Sequence, residues 1–232
     1  MNARDLVAQT TRYNDTLNPV AWEEKNLRPE IRDHLLKVAK QFVEYLEIPG
    51  FQVLDIVLTG SNANYNWNRF SDFDLHVVTD YDALSCPDLA ENFYNAKKKI
   101  WNDSHDIKIK DHEIELYIED NDNPPKSGGM YSLEKDAWIK EPNYDRPEID
   151  GRAVQVKVKH LIDMIRKTLQ HADQSQDLKM VLTRLRDMRR AGLESGGEFG
   201  VENLAFKTLR NMGAIDMLAQ AFYHLQDREL TL

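Results

Sequence analysis

The chain has 232 residues, 41% of them hydrophobic and 30% charged, with a formal net charge of -9. That is enough apolar material for one large domain or two small ones, and no stretch reaches the roughly 18 consecutive apolar residues of a membrane span. The single cysteine, Cys86, excludes an internal disulfide. The opening residues Met1 to Asp5 hold no apolar run, so a cytoplasmic protein without a secretory signal is expected.

The charge is uneven along the chain. Residues 1–150 hold 17 Lys and Arg against 29 Asp and Glu, whereas residues 151–213 hold 12 against 7. The acidic first part argues against bulk duplex DNA as a partner. The basic later part could face a triphosphate or an RNA end, or could be ordinary solvated helix surface.

Residues 1–28 show weak periodicity and read as an N-terminal lead-in. Pro29 suits the first position of a helix. Ile31, Leu35, Val38, Phe42 and Leu46 then recur at helical spacing until Pro49-Gly50. The run Phe51 to Leu58 is β-branched and apolar and predicts a strand, followed directly by Thr59-Gly60-Ser61. Asn62 to Arg69 reads as a loop or short helix, and Phe73 to Thr79 as a second strand. Ser85 is a candidate cap for a helix whose inward stripe is Leu89, Phe93, Ala96 and Ile100. Two strands follow, Ile107 to Lys110 and Glu113 to Ile118; in the second, Ile114, Leu116 and Ile118 alternate with Glu113, Glu115 and Tyr117. Residues 126–150, with Lys126-Ser127-Gly128-Gly129, read as a connecting loop between a core over 29–125 and a helical subdomain over 151–232. In that subdomain the helical stripes are Val154, Val158, Leu161, Ile165 and Leu169; Leu178, Val181, Leu185 and Met188; and shorter ones through Leu204, Leu209, Ile215, Leu218, Phe222 and Leu225. The order predicts an α+β fold, a mixed β-sheet flanked by helices and followed by a helical subdomain.

The chemistry concentrates on carboxylates. Asp72 and Asp74 stand two apart on a predicted strand, so both leave the same face, while Phe73 and Leu75 leave the other. Two carboxylates held side by side repel unless a cation lies between them. Mg²⁺ is the natural cation, because it takes oxygen ligands and keeps positions open for phosphate oxygens. Gly60 lets the backbone approach a phosphate closely, and Ser61 supplies a hydroxyl. Glu113 and Glu115 on the third strand both compete for a third acidic role. Tyr65 and Trp67 could stack on a base or simply pack the loop onto the core.

Gly60-Ser61, ten residues, then Asp72-Phe73-Asp74 resembles the signature of the DNA polymerase β-like nucleotidyltransferase superfamily, with the spacing of its minimal members. The runs Tyr65-Asn66-Trp67 and Ser71-Asp72-Phe73-Asp74-Leu75-His76 also look similar to nucleotidyltransferases of tailed bacteriophages. The resemblance covers about residues 30–120 and implies a polymerase β-like core. It implies that Gly60, Ser61 and Ser71 address the nucleotide phosphates, that Asp72 and Asp74 bind Mg²⁺ or Mn²⁺, and that Glu115 is the third ligand or base. It further implies transfer of a nucleoside monophosphate from a nucleoside triphosphate to a small molecule, a protein or an RNA end. The glutamate at 115 stands where aspartate is commoner. Lys157 and Lys207 are the candidate triphosphate clamps from the helical part, each weighed against an ordinary solvated lysine. Two rival functions are kept, a non-catalytic nucleotide-binding or antitoxin-like regulator and a pyrophosphate-transferring enzyme.

Overall fold

A computed structural model of the chain describes residues 2–82, 87–125 and 127–231. Ser85, Cys86 and Lys126 lie outside the described residues. The chain divides into two compact units, residues 13–145 and residues 1–12 with 146–232. The class is α+β, with seven helices and a mixed sheet flanked by helices among the described residues.

The sheet unit starts with a two-strand ribbon, β1 (Trp22–Glu23) and β2 (Asn26–Leu27). The helix α2 (Pro29–Leu46) follows, with Pro29 and Glu30 in its first turn, where a missing N–H costs nothing and a carboxylate meets the positive helix end. It stops earlier than Pro49, because Glu47 takes the left-handed conformation at φ 54°. The expected stripe is its buried face: Leu35, Phe42 and Leu46 are at most 1% exposed. Each such side chain stabilises the fold by roughly 1.5–3 kcal/mol.

The main sheet has the order β5-β6-β4-β3-β7-β8. Its strands are β3 (Asp55–Thr59), β4 (Phe73–Thr79), β5 (Lys108–Ile109), β6 (His112–Asp120), β7 (Met130–Ser132) and β8 (Ala137–Lys140). Among the described residues only β4 and β6 pair in parallel. Between them the chain crosses over through α3 (Pro87–Ser104), as a parallel pair requires. Phe73, Leu75, Val77 and Leu116 are fully buried on one face; Asp74, Glu115, His76 and Tyr117 occupy the other by strict alternation.

Two sequence expectations are corrected here. The connecting loop over 126–150 contains the β7–β8 hairpin, which adds two strands to the sheet beyond β3. Its strands are only three and four residues long, and aromatic contact between distant segments holds them. Trp138 stacks on Trp22 at 4.6 Å, and Tyr131 meets Trp22 edge-on at 5.1 Å.

The stripe read for α3 is the wrong face. Leu89, Phe93 and Ile100 are 62%, 44% and 57% exposed, and Ala96 is exposed with them, whereas Ala90, Tyr94 and Trp101 are buried. Both sets satisfy helical spacing. The larger aromatic pair wins because Trp101 packs against Phe42 and Tyr45 of α2, at 5.5 and 5.2 Å.

The helical unit joins α4 (Gly151–His171), α5 (Ser175–Gly196), α6 (Val201–Asn211) and α7 (Ala214–Leu230) to α1 (Ala3–Thr10). Its core holds Val154, Val158, Leu161, Ile165, Leu178, Leu185, Leu204, Leu209 and Leu218, and Val7 of α1 belongs to it. The expected lead-in therefore splits: its first helix packs with the C-terminal helices, and residues from Tyr13 on belong to the sheet unit. On α5 the third inward residue is Leu182, with Val181 only partly buried, and the helix runs past Gly192 to Gly196. No helix among the described residues is long and apolar enough to cross a membrane.

Candidate active site

The site is built where β3 ends. Gly60 has φ 75° and ψ -160°, a conformation open in practice only to glycine. A Cβ on Gly60 would overlap the Asp74 carboxylate. The glycine thus serves the turn twice, in dihedral angle and in the close approach of an acid to the backbone. Thr59 is the register partner of Asp74, and Asp74 is the register partner of Glu115 on β6. Partners across a ladder project from the same face, so Asp74 and Glu115 are neighbours on adjacent strands. Asp72 immediately precedes β4; it, Asp74 and Glu115 are all partly buried.

The register also separates the two competing glutamates. Glu113 pairs across β5 with Lys108 and is 63% exposed, with the Lys108 Nζ 3.5 Å away. Glu115 is the one beside Asp74.

After Gly60 a short 3₁₀ turn, Ser61–Ala63, brings Ser61 back toward β4. Its hydroxyl donates to the Ser71 hydroxyl at 2.7 Å, and Ser71 accepts the Asn68 N–H at 2.9 Å. Ser71 is buried and supports Ser61 from behind. Asn62, with no exposed surface, donates to the carbonyls of Ser71 and Asp72 at 3.1 and 3.0 Å. Its own carbonyl accepts from the Trp22 indole at 2.7 Å, and its side-chain oxygen accepts from Asn18 at 2.7 Å. His112 closes the network, with Nδ1 at 2.6 Å from the Ser71 carbonyl and Nε2 at 3.3 Å from Asn18. These bonds satisfy buried main-chain groups and fix the loop that carries Asp72.

The bulky segment from Asn64 to Arg69 is likewise held by the chain before α2. Asn14 donates to the carbonyls of Tyr65 and Trp67 at 3.1 and 2.7 Å, and the Trp67 indole donates to Thr16 at 2.8 Å. Tyr65 is buried between Tyr13 and Tyr144. Both aromatic rings pack the loop in this structure.

Further along the acidic face, His76 stacks on Tyr117 at 4.6 Å and its Nδ1 lies 3.1 Å from Glu119. Lys98 of α3 sits over the Tyr117 ring, with Nζ 4.1 Å from the ring centre. Burial lowers the Lys98 pKa below the ordinary lysine value, against the opposing pull of Glu115 and Glu119. A partly desolvated cation therefore stands next to the third acid. Lys98 escaped the sequence reading because the α3 stripe was read on the wrong face; Ala90, Tyr94 and Trp101, an equally periodic set, would have placed it beside β6. Asn102, one turn on, bonds both the N–H and the carbonyl of Leu116, at 3.1 and 3.0 Å, and covers the open edge of β6.

The two remaining candidates belong to the helical unit. Lys157 is paired with Glu202 at 3.1 Å, and Lys207 with Glu198 at 3.4 Å. The Lys157 ammonium holds the Glu202 carboxyl below the usual carboxylate range.

Among the described residues no three His, Cys, Asp or Glu side chains form a ready-made metal cage. The donors at the site are all carboxylate and hydroxyl oxygens. That set fits a magnesium ion held by one or two carboxylates and completed by substrate phosphates, the usual arrangement for this ion. No protein-family model, curated protein or solved structure matches the chain.

Proposed function

We propose that this chain is a magnesium-dependent nucleotidyltransferase, with a polymerase β-like core in its sheet unit. It moves a nucleoside monophosphate from a nucleoside triphosphate to a hydroxyl acceptor and releases pyrophosphate. One observation carries the reading: the glycine that ends β3 is shaped around Asp74, and Asp74 stands in register with Glu115. In this reading a phosphate-accepting turn and two acids from adjacent strands lie together at one end of the sheet.

In this reading the Gly60 backbone and the Ser61 hydroxyl address the phosphates, which favour a close, side-chain-free approach. Asp72 and Asp74 would hold Mg²⁺ or Mn²⁺. When bound, that ion neutralises charge on the phosphate oxygens. Glu115 takes the proton of the acceptor hydroxyl. The acceptor oxygen bonds to the α-phosphorus, the bond from that phosphorus to the bridging oxygen breaks, and pyrophosphate leaves with the electron pair. The protein's share is positioning and charge, as in other phosphoryl transfers.

The test incubates the chain with each labelled nucleoside triphosphate, Mg²⁺ or Mn²⁺, and cellular RNA, protein and small-molecule pools. Pyrophosphate and a labelled product that vanish in Asp72→Asn and Asp74→Asn are expected. No such product from the wild-type chain would end the catalytic reading, and nucleoside monophosphate as by-product would replace it with pyrophosphate transfer.

A further inference from the structure

A triphosphate chain at the Gly60-Ser61 turn calls for a cation beside it. Lys157 and Lys207 are each engaged with a glutamate of the helical unit. The sheet topology supplies another. β7 runs antiparallel to β3, with Leu58 opposite Tyr131, so Met130 and Gly129 arrive where β3 ends. β8 runs back antiparallel to β7, and Lys140 is the register partner of Met130. The last residue of β8 therefore lies at the same end as Gly60.

Side chains and backbone close the remaining gap. The Ser127 hydroxyl accepts the Gly60 N–H at 3.4 Å. Lys140 Nζ donates to the carbonyl of the same Ser127 at 2.8 Å. Gly129 is seated directly against the Ala63 carbonyl, where a Cβ has no room, and Gly128 against the Asn64 side chain. The segment is thus clamped onto the turn from Gly60 to Asn64. Lys140 is exposed and, among the described residues, meets no carboxylate. Two of its three N–H donors remain for a ligand.

We propose that Lys140 is the cation that receives the triphosphate chain at the Gly60-Ser61 turn. This rests on the nucleotidyl-transfer reading and adds a residue to it. The ammonium rests on the Ser127 carbonyl, and the Ser127 hydroxyl occupies the Gly60 N–H. When a nucleotide binds, a phosphate oxygen takes the N–H and the ammonium turns to the phosphates. An ammonium–phosphate bond pairs two opposite charges and is stronger than the ammonium–carbonyl bond it replaces.

The experiment measures binding of the four α,β-methylene nucleoside triphosphate analogues with Mg²⁺ by calorimetry. Lys140→Gln keeps a donor for the Ser127 carbonyl and loses the charge; Lys140→Arg keeps both. The dissociation constant for the analogue that the wild type binds is expected to rise about ten-fold or more in Lys140→Gln and to stay within about three-fold of wild type in Lys140→Arg. On the wild-type chain, acetylation footprinting is expected to show Lys140 losing reactivity when that analogue is present, a readout independent of how the variants fold. Equal binding by Lys140→Gln, or unchanged Lys140 reactivity, overturns the proposal while leaving the nucleotide reading in place. A wild-type chain that binds none of the four analogues overturns both.

Discussion

Gly60→Ala is the perturbation that the site geometry constrains most tightly. The backbone there has φ 75° and ψ -160°, and a non-glycine residue in that region costs roughly 1–3 kcal/mol. The added methyl also lands on the Asp74 carboxylate, and overpacking of this kind costs roughly a further 1–3 kcal/mol. The sum is of order 3 kcal/mol, which at a urea slope of about 2 kcal/mol/M lowers the unfolding midpoint by roughly 1.5 M. Gly50 provides the control. It has the same φ of 75°, and a Cβ there meets nothing within 4 Å, so Gly50→Ala carries backbone strain alone, about 1–2 kcal/mol. Gly60→Ala carries the contact with Asp74 in addition to its backbone strain, so it is expected to lose more stability than Gly50→Ala. Urea unfolding read by fluorescence gives the stabilities, and pyrophosphate release gives the turnover. Gly60→Ala is expected to lose both stability and turnover, and Gly50→Ala only some stability. Equal midpoints for the two variants, or full turnover in Gly60→Ala, would refute the claim that glycine is required to admit Asp74.

Asn62→Ala removes three buried hydrogen bonds, to the Ser71 and Asp72 carbonyls and from Asn18, each worth about 1 kcal/mol; a loss of about 2–4 kcal/mol in thermal or urea unfolding is expected. Lys98→Met removes a cation over Tyr117 worth about 0.5–1 kcal/mol and also relieves its desolvation, so stability at neutral pH is expected to change by less than about 1 kcal/mol. Because the folded pKa of Lys98 lies below the ordinary 10.5, the unfolded chain binds more protons in the window just under 10.5. That lysine's contribution therefore makes stability rise with pH there, and Lys98→Met is expected to lose this slope in unfolding measured across alkaline pH. Glu202 has the same sign in an acid window: its folded pKa lies below 4.5, so the stability it lends is present above pH 4.5 and lost as pH falls through the lower folded value. Glu202→Gln is expected to flatten that acid limb in thermal melts, and an unchanged limb would refute the pairing with Lys157.

What the sequence disclosed was what local pattern controls. The α2 stripe and the alternation along β4 and β6 rest on periodicities of 3.6 or 2 within one element, and each element lies close to where the pattern puts it. The hairpin β7–β8 was hidden because its strands are too short for alternation to show, and it is held by Trp22, about a hundred residues earlier in the chain. The face of α3 was ambiguous because two stripes fit the same period, and only packing against α2 decides between them. The network of Asn18, Asn62 and His112 joins residues 44 and 94 positions apart; asparagines in a polar loop carry no signal of that kind. Glu115 is already favoured over Glu113 by the resemblance; its place beside Asp74 comes from register with β4, which is a property of two strands together.

The central claim is tested most directly by following pyrophosphate release from each nucleoside triphosphate with Mg²⁺, in the presence of cellular acceptor pools, for the wild type, Asp74→Asn and Glu115→Gln. These substitutions keep side-chain shape and remove charge from the in-register pair. Release by the wild-type chain is expected, with a loss of at least about a hundred-fold in each variant and circular dichroism and melting curves close to wild type. Release that continues undiminished in both variants would contradict the claim, and so would a wild-type chain that releases no pyrophosphate from any of the four nucleotides.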